Sequence, residues 1–189
     1  MKKRFFMFFT ALAVFLFFEG CASISKKEQT VNGVVYDGDN QCLSDAGIFI
    51  DGKKISETDT YGHFYFNRAL LKQKSLFTVQ KSGYEKIEIC GSEEISSFLY
   101  LTMFSCSSLI EKSMNALLSG NISEAEVFLN KAAKADAEKK QDKSIVMLDC
   151  LILYRQKRYE ECIKRLVEAC NKYGDESFVK FREKLNEER

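Results

Sequence analysis

The spacing of apolar residues changes twice along the chain. Residues 5–18 form an unbroken apolar run apart from Thr10. From Val31 apolar and polar residues alternate in short segments separated by Asp- and Gly-containing turns, which is typical of antiparallel strands. From Ser107 apolar residues recur every three or four positions, which indicates helices. The pattern predicts an α+β protein in two parts: an antiparallel β-sandwich of about seven strands, followed by an all-α region of helical hairpins.

Turn residues separate the predicted strands. Asp51-Gly52 is the kind of dipeptide that supplies positive φ in a tight hairpin, and the segment 59–62 is a second turn of this kind. Phe64 and Phe66 share one face of the strand that follows. The other face carries three candidate ligand-binding residues: Tyr61, His63 and Tyr65. Further strands are predicted at 76–79, 84–89 and 98–103.

The second half is predicted to contain five helices. Ser108-x-x-Glu111 is typical of a capping box at the start of the first helix, and Asn121 is placed to cap the second. A third helix at 145–154 is apolar at every position but Asp149, and it is too short to cross a bilayer. We therefore expect it to be buried between neighbouring helices. A fourth helix has an apolar stripe at helical spacing, and a last helix follows Gly174. The stripe consists of Tyr159, Cys162, Ile163, Leu166, Val167 and Cys170.

The N-terminal segment has the layout of a signal peptide. A basic head at 2–4 precedes the apolar run, which ends at Glu19-Gly20-Cys21 and falls short of the ~20 apolar residues of a spanning helix. The segment resembles a bacterial lipoprotein signal. That resemblance implies removal of residues 1–20, lipidation of Cys21 and export to the cell envelope, with Ala22 favouring the outer membrane. Residues 21–29 are predicted to be a tether. The alternative is an ordinary signal peptide with Cys21 unmodified.

Four motifs occur in order between residues 30 and 90. They are Gly33-x-Val35-x-Asp37, Leu43-x-x-Ala46-x-Ile48-x-Ile50, Thr58-Asp59-x-x-Gly62-x-Phe64-x-Phe66 and Lys81-Ser82-Gly83-Tyr84. By these motifs the segment resembles the carboxypeptidase regulatory-like domain, a transthyretin-like β-sandwich. Asn40, Cys42 and Asp45 depart from that family at the first turn. The resemblance implies a non-catalytic structural or adhesive module, which we place at residues 30–104.

Two segments of the helical half, 118–125 and 155–162, echo each other. They align with Ala125 over Cys162, a spacing near the 34-residue tetratricopeptide period. Residues 107–189 therefore resemble tetratricopeptide hairpins, although the Trp and Pro positions of that family are absent. The resemblance implies that polar residues outside the apolar stripes recognise a partner. The partner-binding candidates are Asn115, Asp149 and Tyr154. The alternative is a helical cap that only packs on the sandwich.

Composition excludes some classes of function. The 189 residues carry a formal charge of +1, and no basic stripe with interleaved aromatics appears, so nucleic-acid binding is not expected. The six cysteines after Cys21 allow fifteen full pairings, which the sequence cannot rank. Because no Cys-x-x-Cys pair occurs, we expect no zinc site. The sequence also has no Gly-rich loop that could hold a phosphate group, and we expect no cofactor.

The sequence lacks the residues that a catalytic triad or a calcium-binding loop needs. His63 is the only histidine, and its place opposite Phe64 and Phe66 favours a solvent-facing role, so we expect no enzyme activity. Asp37 and Asp39 begin like a calcium loop, but position six is Cys42 instead of Gly. A turn is the better interpretation of this segment.

Two functions of different classes follow from these observations. The first is a non-enzymatic, membrane-anchored envelope lipoprotein that holds a polypeptide partner through its helical hairpins. The second is a surface glycan-binding lipoprotein that uses the tyrosine-lined face of the sandwich, since aromatic rings stack on sugar rings.

Overall fold

The computed structural model describes residues 30–136 and 138–187. Seven strands precede five helices, so the predicted two-part α+β fold is confirmed. The strands are β1 (Thr30–Asp37), β2 (Gly47–Ile50), β3 (Lys53–Glu57), β4 (His63–Asn67), β5 (Leu76–Gln80), β6 (Ile87–Cys90) and β7 (Phe98–Met103). The helices are α1 (Cys106–Leu118), α2 (Ile122–Ala135), α3 (Asp142–Arg155), α4 (Tyr159–Tyr173) and α5 (Glu176–Glu187). The predicted signal peptide, Cys21 and the tether lie outside the described residues.

The strands form two sheets that enclose one apolar core. The first sheet has the order β4-β1-β7 and the second the order β3-β2-β5-β6. Neighbouring strands are antiparallel except β1 and β7, which run parallel. Alternate residues of each strand point inward, so Val31, Phe64 and Leu99 of the first sheet meet Ile48 and Phe77 of the second. The opposite side of the first sheet is left facing outward.

Two turns of the sandwich depend on glycine. Asp51 and Gly52 both have positive φ, 50° and 79°, and join β2 to β3 in a two-residue hairpin, as predicted. Gly62 has φ 74° and lies against the backbone of β1. A Cβ atom at Gly62 would lie 2.4 Å from the carbonyl oxygen of Val35 and 3.2 Å from the amide nitrogen of Leu43. No side chain fits there without moving the backbone.

Helix α1 begins before the predicted capping box, whereas α2 begins after Asn121 as predicted. The N-cap of α1 is Ser105, whose hydroxyl accepts a hydrogen bond from the Ser108 amide at 3.1 Å. The prediction at Ser108 is wrong because Ser105 keeps the extended backbone of the preceding strand and the helix starts directly after it. Asn121 does precede α2, but its side-chain amide donates to Glu124 at 2.7 Å instead of capping the backbone.

The two halves meet where a strand was expected to begin. The predicted strand at 84–89 starts only at Ile87, because the residues before it bind the start of the helical half. The Glu85 amide donates to the Phe104 carbonyl at 2.9 Å, and the Cys106 amide donates to the Gly83 carbonyl at 2.8 Å. The Glu85 carboxylate, 12% exposed, also pairs with Lys131 of α2 at 3.0 Å. The sandwich and the helices therefore share an interface.

Helix α3 is buried on two sides, as its sequence predicted. Ile145, Leu148 and Ile152 join the core of α1 and α2. Val146 and Cys150 join a second core with α4 and α5. A helix with neighbours on both sides has no wide polar face, which explains why only Asp149 interrupts its apolar run.

The two helical hairpins repeat each other at a spacing of 37 residues. Gly120 and Lys157 occupy the same place between paired helices and both have positive φ, 84° and 62°. The Ser113 hydroxyl donates to the Ala125 carbonyl at 2.7 Å. The equivalent pair of residues is also hydrogen-bonded, with the direction reversed: the Cys162 thiol donates to the Cys150 carbonyl at 3.2 Å. The echo noted in the sequence is therefore a structural repeat.

Candidate ligand-binding face

The outer side of the sheet β4-β1-β7 is the largest concentration of exposed aromatic side chains among the described residues. Strand β4 alternates, so Phe64 and Phe66 enter the core while His63 and Tyr65 point outward. Tyr61, in the turn before β4, extends this row, and its ring lies 6.3 Å from the His63 ring. The structure brings together the three residues predicted from the sequence.

A second aromatic row lies on the opposite edge of the same sheet. Phe98 and Tyr100 of β7 point outward, and their ring centroids are 4.8 Å apart. The sequence did not predict these residues as part of the site. Their alternation with Leu99 and Leu101 was visible, but nothing local shows that β7 pairs with β1. Together the outward rings Tyr36, Tyr61, His63, Tyr65, Phe98 and Tyr100 are termed the aromatic face.

Strand β1 lies between the two rows. The register places Asn32 between Tyr65 and Phe98, and Val34 between His63 and Tyr100. Val34 is only 2% exposed, although it is not part of the sandwich core. Its neighbours on both sides therefore rise above it, so the middle of the face is lower than its edges.

The face carries no Asp, Glu, Lys or Arg at any outward position of its three strands. These positions are Thr30, Asn32, Val34, Tyr36, His63, Tyr65, Asn67, Phe98, Tyr100 and Thr102. The Asp59 carboxylate lies beside the face, 3.7 Å from Nδ1 of His63. That carboxylate accepts hydrogen bonds from the backbone amides of Tyr61 and His63, so it closes the turn. The face offers rings, hydroxyls and amides to a ligand.

The partner-binding candidates of the helical half lie apart from one another. Asn115 is exposed beside a cleft of about 370 Å³ that also borders Lys112 and Glu124. Asp149 lies in a second cleft and accepts a hydrogen bond from Arg165 at 3.1 Å. Tyr154 is half-buried, with its ring against Tyr159 and Phe181 at 5.9 Å each. Only Asn115 is presented to solvent without a structural role in these contacts.

The cysteines of the described residues carry free thiols. Burial raises the pKa of the Cys150 thiol to about 12 and that of the Cys162 thiol to about 11. Both groups are therefore protonated at neutral pH, and a protonated thiol is neither a nucleophile nor a metal ligand. Within residues 30–136 and 138–187, no cluster of three His, Cys, Asp or Glu side chains could hold a metal ion.

No protein-family model matches the chain, and no curated protein matches it. Among solved structures, a chain of a type II cohesin-X-dockerin complex (a C-terminal interface mutant) from Acetivibrio cellulolyticus is similar, with a TM-score of 0.29 and 16% identity. The likeness covers 41% of this chain and 58% of that chain. At this TM-score it carries no argument about function. In the part of the chain that the structure describes, no helix is both long and apolar enough to span a bilayer.

Proposed function

We propose that the protein is a lipid-anchored binding protein of the bacterial cell envelope that holds a surface glycan on its aromatic face and catalyses no reaction. The proposal combines the carboxypeptidase regulatory-like sandwich and the lipoprotein signal inferred from the sequence with the geometry of the first sheet. Its site residues are Tyr61, His63 and Tyr65, and we include Phe98 and Tyr100 because they lie on the same outward side of the sheet.

The exposure of the rings carries the proposal. Tyr65 is 73% exposed and Tyr100 is 75% exposed, and both lie on regular strands whose alternate residues form the core. Rings this exposed lie outside the sandwich core. Grouped exposed apolar surface marks an interaction site. Sugars suit such rings because they combine apolar C–H faces with hydroxyl groups.

The helical half is a weaker candidate for the site because its polar side chains are engaged with one another. The cleft beside Asp149 is bordered by ion pairs, including Arg158 with Glu161 at 2.6 Å and Arg165 with Asp149 at 3.1 Å. A partner entering that cleft would have to replace these exposed pairs with new ones, and an exposed pair contributes only about 0 to 1 kcal/mol.

The proposed anchor would keep the aromatic face near a membrane surface. In this proposal Cys21 carries the acyl chains, and nine residues from Cys21 to Thr30 reach at most about 30 Å. The Thr30 end of β1 is also the Phe98 end of the aromatic face. A face tethered this closely would meet glycans at the cell surface and not distant soluble ligands.

A glycan array tests the proposed function. We expect the mature chain to bind neutral glycans and Tyr65→Ala to weaken that binding at least tenfold. Leu118→Ala, which removes an equally exposed apolar side chain (70%) from α1, should leave the binding unchanged. Binding by no glycan, or equal losses from both substitutions, would reject the proposal.

The anchor has a separate test. Cys21→Ser should release soluble protein or leave the precursor unprocessed, and intact-mass analysis of wild-type protein should show an acylated chain that begins at Cys21. Cys42→Ser, at an exposed cysteine of the sandwich, is the matched control and should remain in the membrane fraction. An unmodified Cys21 in a chain that begins elsewhere would exclude lipid anchoring.

The 37-residue repeat supports a second candidate function, a scaffold for a polypeptide partner. Each hairpin borders a cleft, and Asn115 is exposed in the first of them. In a pull-down from envelope extract with the full-length protein, Asn115→Arg should remove the partner if the helices hold it, whereas Tyr65→Ala should not. The reverse result favours the aromatic face.

A further inference from the structure

The two rows of the aromatic face define the size of what it binds. Tyr65 on β4 and Tyr100 on β7 are separated by β1, and neighbouring strands lie about 4.8 Å apart, so the rows are about 10 Å apart. That distance is wider than one sugar ring. A monosaccharide can therefore stack on one row only, whereas a ligand of several rings can reach both.

The middle of the face is low enough for a ligand to pass over β1 from one row of rings to the other. Val34 is buried between His63 and Tyr100, and Asn32 is exposed between Tyr65 and Phe98. The Asn32 amide supplies donors and an acceptor for hydroxyl groups at the centre of the face. A ligand that rests on both rows places its linking part above these two side chains.

The absence of charged side chains from the outward positions of the face indicates the chemistry of its ligand. No outward position of the three strands carries a full charge, whereas 29% of the residues of the whole chain are charged. An acidic polysaccharide or an anionic membrane would call for Lys or Arg at the contact, as basic residues steer and hold such partners. An uncharged, hydroxyl-rich ligand matches the rings, hydroxyls and amides that are present.

We propose that the aromatic face binds a neutral oligosaccharide of at least two rings, which crosses β1 and stacks on Tyr65 at one edge and on Tyr100 at the other. This inference rests on the proposed glycan-binding function and adds the ligand's charge, its minimum length and its direction across the sheet. Phe98 and Asn32 are then contact residues of the same site, and the ligand runs across the strands instead of along one of them.

Calorimetric titration with ligands of increasing length tests the inference. The protein is the mature chain carrying Cys21→Ser, and the probes are neutral gluco- and manno-oligosaccharides of one to six rings, with oligogalacturonate as the anionic probe. We expect affinity to rise at least tenfold between one ring and the length that reaches both rows. Tyr100→Ala should remove this dependence on length and leave only the affinity of the short ligands.

The outcomes separate this inference from the function on which it rests. If Tyr65→Ala weakens binding but Tyr100→Ala and ligand length have no effect, the ligand uses one row, so glycan binding stands and the two-row inference is wrong. If only oligogalacturonate binds, glycan binding stands and the inference of a neutral ligand is wrong. If no glycan binds in the titrations or on the array, both are wrong. Thermal melts that match wild type show that the variants are folded, as expected for outward side chains.

Sedimentation of the same proteins tests the remaining occupant of the face, a second copy of the chain. A monomer is expected for the wild type and for Tyr100→Ala. A wild-type dimer that Tyr100→Ala converts to a monomer would show that the face is a dimer interface, and it would overturn the oligosaccharide inference.

Discussion

The outer face of the sandwich and the surface of the helical half use exposed side chains in opposite ways. On the helices, exposed charges bind other charges across helix boundaries: Asp142 of α3 pairs with Lys172 of α4, and Lys143 pairs with Asp175 before α5. On the sandwich, the exposed rings of Tyr65 and Tyr100 lie on the side away from the core. Surface that contributes to holding a fold together is less free to bind a ligand, so the sandwich is the better place to look for function.

The two halves also differ in what holds them together. The sandwich depends on backbone positions that tolerate only glycine, such as Gly62 against β1. The helical half depends on α3, whose side chains fill two separate cores. Large stability losses should therefore come from a change of backbone conformation in the sandwich and from a change of side-chain volume in the helical half.

The largest expected loss is in the helical half. Leu148→Ala should lower the free energy of unfolding by about 3 to 4 kcal/mol, because it removes a buried side chain from α3 and leaves a cavity. Urea denaturation followed by circular dichroism measures the change. Leu118→Ala makes the same substitution at a residue that is 70% exposed and should change stability by less than about 0.5 kcal/mol. Similar losses at the two positions would contradict the burial of α3.

The corresponding change in the sandwich is Gly62→Val. We expect a loss of about 2 to 3 kcal/mol, because valine is strained at φ 74° and its Cβ meets the Val35 carbonyl oxygen. Gly52→Val is the matched control: it has φ 79° but no atom within 4 Å of the added Cβ, so it tests the backbone strain alone. Thermal melts should show the larger effect at Gly62. An equal effect would mean that the close approach to β1 is unimportant.

The junction between the halves should contribute less. Lys131→Met keeps the aliphatic stem but removes the charge that pairs with Glu85, and we expect a loss of about 1 kcal/mol because Lys131 is half-exposed and the pair is screened by solvent. Lys134→Met, at an exposed position of the same helix, is the control. A double-mutant cycle with Glu85→Gln measures the coupling, and a coupling of zero would remove this pair from the interface.

The smallest effect is a dependence on pH in the helical half. Hydrogen bonds from Lys172 and Tyr173 hold the pKa of Asp142 below its ordinary value of 3.8. Because the pKa is lower in the folded protein, the stabilisation is complete above the ordinary value and is lost as the pH falls below it. Asp142→Asn should therefore destabilise the protein at pH 6 and make less difference at pH 3 in thermal melts. A difference that grows toward pH 3 would have the wrong sign for this pair.

Much of the fold could be read from local patterns in the sequence. Strand β7 begins and ends where alternation predicted, and α5 follows Gly174, which ends α4 with a left-handed φ of 60°. The burial of α3 also followed from its composition. These features are local, since alternation, helical spacing and turn chemistry are decided by residues a few positions apart.

Only half of the aromatic face could be read in the same way. Tyr61, His63 and Tyr65 are neighbours in sequence, so their common side of a strand followed from alternation. Tyr100 joins them because β7 pairs with β1 across some sixty residues of chain, and no local signal contains that pairing. In the same way, Tyr154 was predicted to lie outside the apolar stripes, but α5 packs so that Phe181 lies against its ring.

The sequence by itself determined the two-part architecture, most element positions and one row of the candidate site, because each is set by short-range periodicity and turn residues. Tertiary structure alone decided which strands share a sheet and that Glu85 joins the two halves instead of starting a strand. It also decided that a second row of rings lies beside the first on the same side of the sheet. The physical reason is that strand order and helix packing are set by contacts between distant segments, whose free energy depends on the whole core and not on any one stretch of the chain.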